Sequence, residues 1–130
     1  MSRRLLVLLV EDEPLNLKLM RVVLEAAGFA VIHAGTGREG ITLARERRPD
    51  VILMDIGLPD IDGVRTLRYL REWPETSATP VAAVTAQAMK GDRERLLAAG
   101  FDDYMAKPID VQTLADEVRR LAARGVEEAG

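Results

Sequence analysis

Asp55 closes an apolar run, Val51-Ile52-Leu53-Met54, and opens onto a stretch that contains Gly57, Pro59, Asp62 and Gly63. A buried strand that ends on a carboxylate and breaks into a turn presents a reactive group at the edge of a sheet. Three further strand-like runs end in the same manner. Leu5 to Val10 leads into Glu11-Asp12, Val81 to Val84 into Thr85, and Tyr104 to Ala106 into Lys107-Pro108. Three acids, a hydroxyl and a lysine are thereby set to meet in one crevice. Converging carboxylates raise one another's pKa values unless a cation intervenes. All-oxygen ligands suit a hard cation, Mg2+, Mn2+ or Ca2+, and Mg2+ is usually held by one or two carboxylates together with substrate phosphate. A hydroxyl and an ammonium at Thr85 and Lys107 can bind the equatorial oxygens of a phosphoryl group, which leaves Asp55 as the nucleophile of an aspartyl-phosphate. Lysine is scarce here: of 18 Lys and Arg residues only Lys18, Lys90 and Lys107 are lysines. A lysine just past a strand is therefore less interchangeable than another surface arginine would be.

The elements that must position these residues alternate along the chain. Leu5–Val10 reads as a first strand, apolar throughout and so covered on both faces as in a parallel sheet. Pro14 stands where a helix can begin; Leu19, Met20, Val23, Leu24 and Ala27 form its apolar stripe, and Gly28 stops it. Ala30–Ala34 is a second strand. Thr36 and Glu39 have capping-box spacing, opening a helix that ends before Pro49. Val51–Asp55 is the third strand, followed by a helix carrying Val64, Leu67 and Leu70 to about Glu72, and then by a loop that Trp73-Pro74 anchors. Pro80–Thr85 is the fourth strand, and a weaker helix spans about Lys90 to Ala99. Asp103–Ala106 is a short fifth strand, after which Asp110 can cap a last helix with Leu114, Val118 and Leu121. Five β-α units in succession specify an α/β, doubly wound parallel sheet with helices on both faces. Residues 1–124 form one domain in this reading, and 125–130 a short polar tail.

The totals exclude several function classes. At 130 residues, with 48% apolar and 30% charged residues, the chain builds one domain with a real core. Its net charge of −3 predicts no general attraction to nucleic acid or anionic membranes. Without cysteine there is no disulfide, thiolate metal site or cysteine nucleophile. The longest apolar run is far too short to span a bilayer and no signal-peptide core follows Met1, so the expected compartment is the cytoplasm.

Taken singly, Glu11-Asp12 reads as a solvated turn, Thr85 as a β-branched strand residue and Lys107 as a surface lysine; only their company changes that. Together, Glu11-Asp12-Glu13-Pro14, Met54 to Gly63, Thr85-Ala86, Ala98 to Tyr104 and Lys107-Pro108 resemble the motifs of the receiver domain of two-component response regulators, over residues 5–123. The resemblance implies a flavodoxin-like sheet with strand order 2-1-3-4-5. It also implies that Asp55 accepts a phosphoryl group from a phosphohistidine on a histidine kinase or histidine phosphotransfer protein. Asp12 and Asp55 would bind Mg2+, Glu11 through water and Gly57 through its carbonyl, and Lys107-Pro108 would carry a cis peptide. Phosphorylation would draw Thr85 inward and let Tyr104 rotate. The fourth helix, fifth strand and fifth helix, with Met89, Lys90, Arg93, Tyr104 and Val111, would then meet a downstream protein partner. Gly57 and Gln87 occupy the two positions that vary in the family, and Glu11 stands where it often has Asp. The segment from Thr85 to Asp92 resembles both hybrid-kinase receivers and single-domain cell-cycle and polarity regulators.

Other functions fit less well. A dehalogenase-like phosphohydrolase with Asp55 as nucleophile needs a second acid two residues later, where Gly57 stands. A nucleotide or flavin protein on the same fold needs a glycine-rich phosphate loop after the first strand, where Glu11-Asp12-Glu13 would repel phosphate. A DNA-binding output domain has no residues left to build it. A receiver excised from a hybrid kinase or multidomain regulator remains the alternative to a stand-alone regulator, which the position of Met1 just before the first strand favours. His33, the sole histidine, reads as structural.

Overall fold

Five strands, β1 (Leu6–Val10), β2 (Ala30–Ala34), β3 (Val51–Asp55), β4 (Val81–Thr85) and β5 (Asp103–Ala106), lie parallel in the order β2-β1-β3-β4-β5. The computed structural model describes residues 4–86 and 90–129. Between the strands run α1 (Pro14–Ala26), α2 (Gly37–Arg47), α3 (Gly63–Glu72) and α4 (Asp92–Ala98), and α5 (Leu114–Ala129) follows β5. β3 and β4 are buried at every residue and β1 at all but its first, as uniformly apolar strands require when helices cover both faces. Side chains alternate between two cores. Val7, Leu9, Leu53 and Val84 pack with Met20 and Leu24 of α1 and with Leu114, Val118 and Leu121 of α5. Leu8, Val10, Ile52, Met54 and Ala83 pack with Leu67 and Leu70 of α3 and Leu96 of α4.

Local chemistry starts α1 and α2 where the sequence implies, and Asp62, given no such role there, caps α3. Pro14 opens α1, Thr36 Oγ1 accepts from the Glu39 amide at 3.1 Å, and the Asp62 carboxylate accepts from the Arg65 amide at 2.9 Å. Asp110 accepts from the Gln112 amide at 2.9 Å and begins the turn that becomes α5.

Three expectations need correction. The buried stripe of α1 is Asn16, Met20 and Leu24, and Leu19 remains 39% exposed. It sits one position off the i, i+4 row that faces the sheet. α4 is shorter than expected and begins after Gly91, whose φ of +90° interrupts the helix between Lys90 and Asp92. Residues 125–129, expected as a tail, continue α5. Gly125 belongs to that helix because a Cβ there would come within 2.7 Å of Pro80, so the glycine lets the helix close against the start of β4. Gln87 and Met89 lie outside the described residues. No described helix is long and apolar enough to cross a membrane.

Candidate functional site

Register sets the level of the crevice. Val10 pairs with Met54, so Glu11 stands beside Asp55, while Asp55 pairs with Val84 and Thr85 with Ala106. Glu11 and Lys107, the first residues beyond β1 and β5, and Thr85, the last of β4, therefore surround the last residue of β3. Parallel pairing without a slip is enough to bring acids, hydroxyl and lysine together from positions up to 96 apart in sequence. The crevice has a volume of about 440 Å³, and its walls include Asp12, Asp55, Gly57, Thr85 and Lys107.

Within it, one oxygen from each of Glu11, Asp12 and Asp55 lies within 4.8 Å of the others. Lys107 Nζ is 3.1 Å from Asp55 Oδ2 and 3.2 Å from Glu11 Oε1. Asp55 Oδ1 also accepts from the Gly57 amide at 3.0 Å. Glu11 and Asp55 are nearly buried at 1% and 6% exposure, whereas Asp12 is exposed at the rim. Thr85 is buried at the end of β4 and the Lys107-Pro108 peptide is cis, as the resemblance implies.

These surroundings give the acids different characters. Burial raises the Glu11 carboxyl above its ordinary value, with Asp55 adding to it against the opposing bonds from Asn16 and Glu13. Burial also pulls Asp55 upward, but its hydrogen bonds with Glu11, the Gly57 amide and Lys107 outweigh that and hold it below the usual range. Lys107 is raised, because its bonds to Asp55 and Glu11 overcome the burial that would lower it. Asp55 is thus the anion and Glu11 the reluctant acid. One ammonium faces three carboxyl groups, all oxygen donors, an arrangement that fits a hard divalent cation.

Three residues support the site from outside it, and two of them, Asn16 and Asp60, have no role in the sequence analysis. The Asn16 amide donates to Glu11 Oε1 from a buried position on α1. Its signal was an amide in the i, i+4 row with Met20 and Leu24, where an apolar side chain belongs. His33 Nε2 lies 3.0 Å from the Glu11 carbonyl oxygen. A carbonyl only accepts, so the ring carries its proton on Nε2. The histidine is structural, as read, but it holds the backbone of a site residue. Asp60 was likewise overlooked: it accepts from the Gly37 and Arg38 amides at 2.8 and 3.1 Å, tying the loop after Asp55 to the start of α2. Tyr104 does not line the crevice. It is half-buried against the α3-side core, and Lys90, Arg93 and Val111 are exposed. Met89, placed on the same face, lies outside the described residues.

A doubly wound parallel sheet with an acid pair, a central aspartate, a hydroxyl and a lysine at one carboxyl edge is a receiver. The chain belongs to the response regulator receiver domain family, whose model matches residues 7–119. Among curated proteins it is similar to the polar-differentiation response regulator DivK of Brucella anthropi, 45% identical over 113 residues that cover 87% of this chain and 92% of that protein. DivK of Brucella ovis is 44% identical over the same shares. Among solved structures it is similar to the receiver domain of the sensor histidine kinase PA1611 from Pseudomonas aeruginosa PAO1, with a TM-score of 0.85 and 36% identity over 93% of this chain and 99% of that one. That structure has a magnesium ion coordinated in its active site cleft. The chemotaxis response regulator CheY4 of Vibrio cholerae superposes with a TM-score of 0.84 at 26% identity, covering 92% of this chain and 99% of that one.

Proposed function

We propose that the protein is a stand-alone phosphoryl-accepting switch in which Asp55 takes its phosphoryl group from the phosphohistidine of a histidine kinase or histidine phosphotransfer protein. The observation that carries this reading is the Asp55 carboxylate itself, held anionic by Lys107 and the Gly57 amide at the mouth of an acid-rich crevice. An Asp55 oxygen attacks phosphorus, the phosphorus–nitrogen bond breaks, and its electron pair remains on the imidazole nitrogen, which is then protonated. Lys107 turns from the acids toward one phosphoryl oxygen, and the Thr85 hydroxyl donates to another. Mg2+, when bound, would neutralise the charge of the entering group; Asp12 and Asp55 would hold it, with Glu11 behind them and Gly57 contributing its carbonyl. Mn2+ is an equivalent hard cation. The chemistry modifies the protein itself, so we read it as a switch of the cytoplasm and not as an enzyme with a separate substrate.

The donor needs a place to dock beside the crevice. α1 starts two residues after Asp12 and leaves Leu15, Leu19 and Val22 exposed by 76%, 39% and 56%, an apolar row at i, i+4 and i+7. A helical donor covering that row would bring its phosphohistidine to Asp55. Output follows on the other side: Thr85 moves toward the phosphoryl group, and Tyr104 rotates into the space left near β5. That reshapes the surface of α4, β5 and α5, where Lys90, Arg93 and Val111 meet a downstream partner. A partner that prefers the altered surface must in return favour phosphorylation.

The match to the DivK proteins over 92% of their length supports the stand-alone reading. The test is phosphotransfer from a labelled histidine phosphotransfer protein in the presence of Mg2+. Label is expected on the parent and on Thr85→Ala, and not on Asp55→Asn or in chelator. A beryllofluoride phosphoryl mimic should change partner affinity in the parent but much less in Thr85→Ala. Label on Asp55→Asn would overturn the assignment of the acceptor, and equal discrimination by parent and Thr85→Ala would overturn the switch.

A further inference from the structure

The chain's five aromatic side chains are unevenly placed. Phe29 and Phe101 are buried at 3% exposure and Tyr104 is half-buried, whereas Tyr69 and Trp73 are exposed by 40% and 39%. Both exposed rings line a single groove between α2 and α3, with a volume of about 480 Å³. Arg38, Ile41 and Arg45 form its α2 wall; Arg65 and Tyr69 of α3, with Trp73 just past its end, form the other. Three arginines line it with one acid, Asp60, whose two oxygens accept from the amides of Gly37 and Arg38. With Glu75 beside Arg45, three arginines stand against two acids, so in a protein of net charge −3 the groove keeps a small positive excess around an aromatic centre.

We propose that this groove is a docking site for an acidic protein segment with an apolar anchor, separate from the crevice and from the α4-β5-α5 face. Trp, Tyr and Arg are the residue types that dominate the binding energy of protein interfaces, and this chain exposes its only tryptophan among them. Its parts are arranged in advance. The Arg45 guanidinium stacks 3.7 Å from the Trp73 ring centroid, and its Nε is 3.1 Å from Glu75 Oε2. A partner thus meets an ordered surface and does not have to immobilise it. Arg38, 81% exposed and 3.8 Å from Asp60, and the exposed Arg65 stand at the mouth, where carboxylates can take them in bidentate pairs. Ile41 and the nearly buried Ile61 offer an apolar floor for the anchor. A nucleotide fits less well, because its base would have to displace the ion-paired Arg45 from the face of Trp73.

Trp73 is the only tryptophan, so its fluorescence reports occupancy directly. The probes are two synthetic peptides with the same leucine and phenylalanine anchors, one flanked by glutamates and the other by lysines. The glutamate peptide is expected to change Trp73 emission saturably and to lose about tenfold in affinity in Arg38→Glu/Arg65→Glu, whereas the lysine peptide gains affinity in that variant. Arg38→Gln/Arg65→Gln, which keeps side-chain length without charge, should fall between. Equal binding of the two peptides to the parent, no saturable change with either, or saturation by AMP in competition with the glutamate peptide would each overturn the proposal.

Discussion

Acids sit at both ends of the sheet and are treated in opposite ways. At the amino edge, Asp102 Oδ2 accepts from the Val81 amide at 2.8 Å and from Arg71 at 3.1 Å, while Arg124 donates to the Asp102 carbonyl at 2.8 Å. Arg71 also reaches the carbonyls of Thr79 and Thr76, so one acid and two guanidinium groups stitch the loop before β4 to the start of β5. Asp50 does the same for β1, accepting from the Leu6 amide at 2.7 Å. At the carboxyl edge three acids lie together, and Lys107 pairs with two of them, Glu11 and Asp55. An acid saturated by backbone amides and arginines is part of the frame. An acid left short of positive charge stores repulsion that a cation or a change of protonation can relieve.

That contrast orders the expected effects of substitution. Asp102→Ala should cost roughly 2–3 kcal/mol, because it takes away the ion-pair partner of Arg71 and the acceptor of the Val81 amide. The figure lies below that of a fully buried pair because both side chains are partly exposed. A thermal melt checks it, and a variant that melts with the parent would break the comparison at the amino edge.

Glu11→Gln should act in the opposite direction. Without metal it removes one of the crowded charges and still offers an oxygen to Asn16, so it should stabilise by about 1 kcal/mol. The pH dependence follows from the same group. Its folded pKa is raised, so the native state binds more protons than the unfolded chain as the pH approaches and passes the ordinary glutamate value. Stability contributed by Glu11 then falls with rising pH, from that value up through the raised one. Asp55, with a lowered pKa, gives the opposite slope in more acidic solution: its contribution is present above the unfolded value and lost as pH falls through the folded one. Melts of chelated protein across this range should therefore show a decline that Glu11→Gln removes. A decline equal in parent and variant would place the strain elsewhere.

Asp60 sharpens the point, since it belongs to the carboxyl edge yet is satisfied. Slight burial that would raise its carboxyl is outweighed by the Gly37 and Arg38 amides, which hold it low. Asp60→Ala should lose about 0.5–1 kcal/mol through the freed start of α2, with no gain from reduced repulsion. A stabilised Asp60→Ala variant would mean that position, not satisfaction, decides how an acid behaves.

Much of this was legible in the chain. β2, β3 and β5 have the expected ends because apolar runs bounded by turn residues leave little choice of boundary. The crevice was legible because Glu11, Asp55, Thr85 and Lys107 each directly follow such a run and the pairing has no slip. Leu19 was misplaced because the apolar residues of α1 outnumber the positions one face can bury. The first turn of α4 was lost to Gly91, whose left-handed backbone cannot be read from composition. Asn16 and Asp60 escaped assignment because their partners, Glu11 and the Gly37 and Arg38 amides, depend on the packing of elements and not on spacing. How Lys107 divides itself between Glu11 and Asp55 is also a property of three strands at once.

The most direct test of the under-neutralised crevice is the melting temperature of the protein with and without Mg2+. A ligand that binds only the native state stabilises by about 2.7 kcal/mol at 100 times its dissociation constant. Mg2+ should therefore raise the melting temperature of the parent and of Asp102→Ala alike, and leave Asp55→Asn and Asp12→Ala nearly unmoved. A parent indifferent to Mg2+, or an equal rise in Asp55→Asn, would contradict the account.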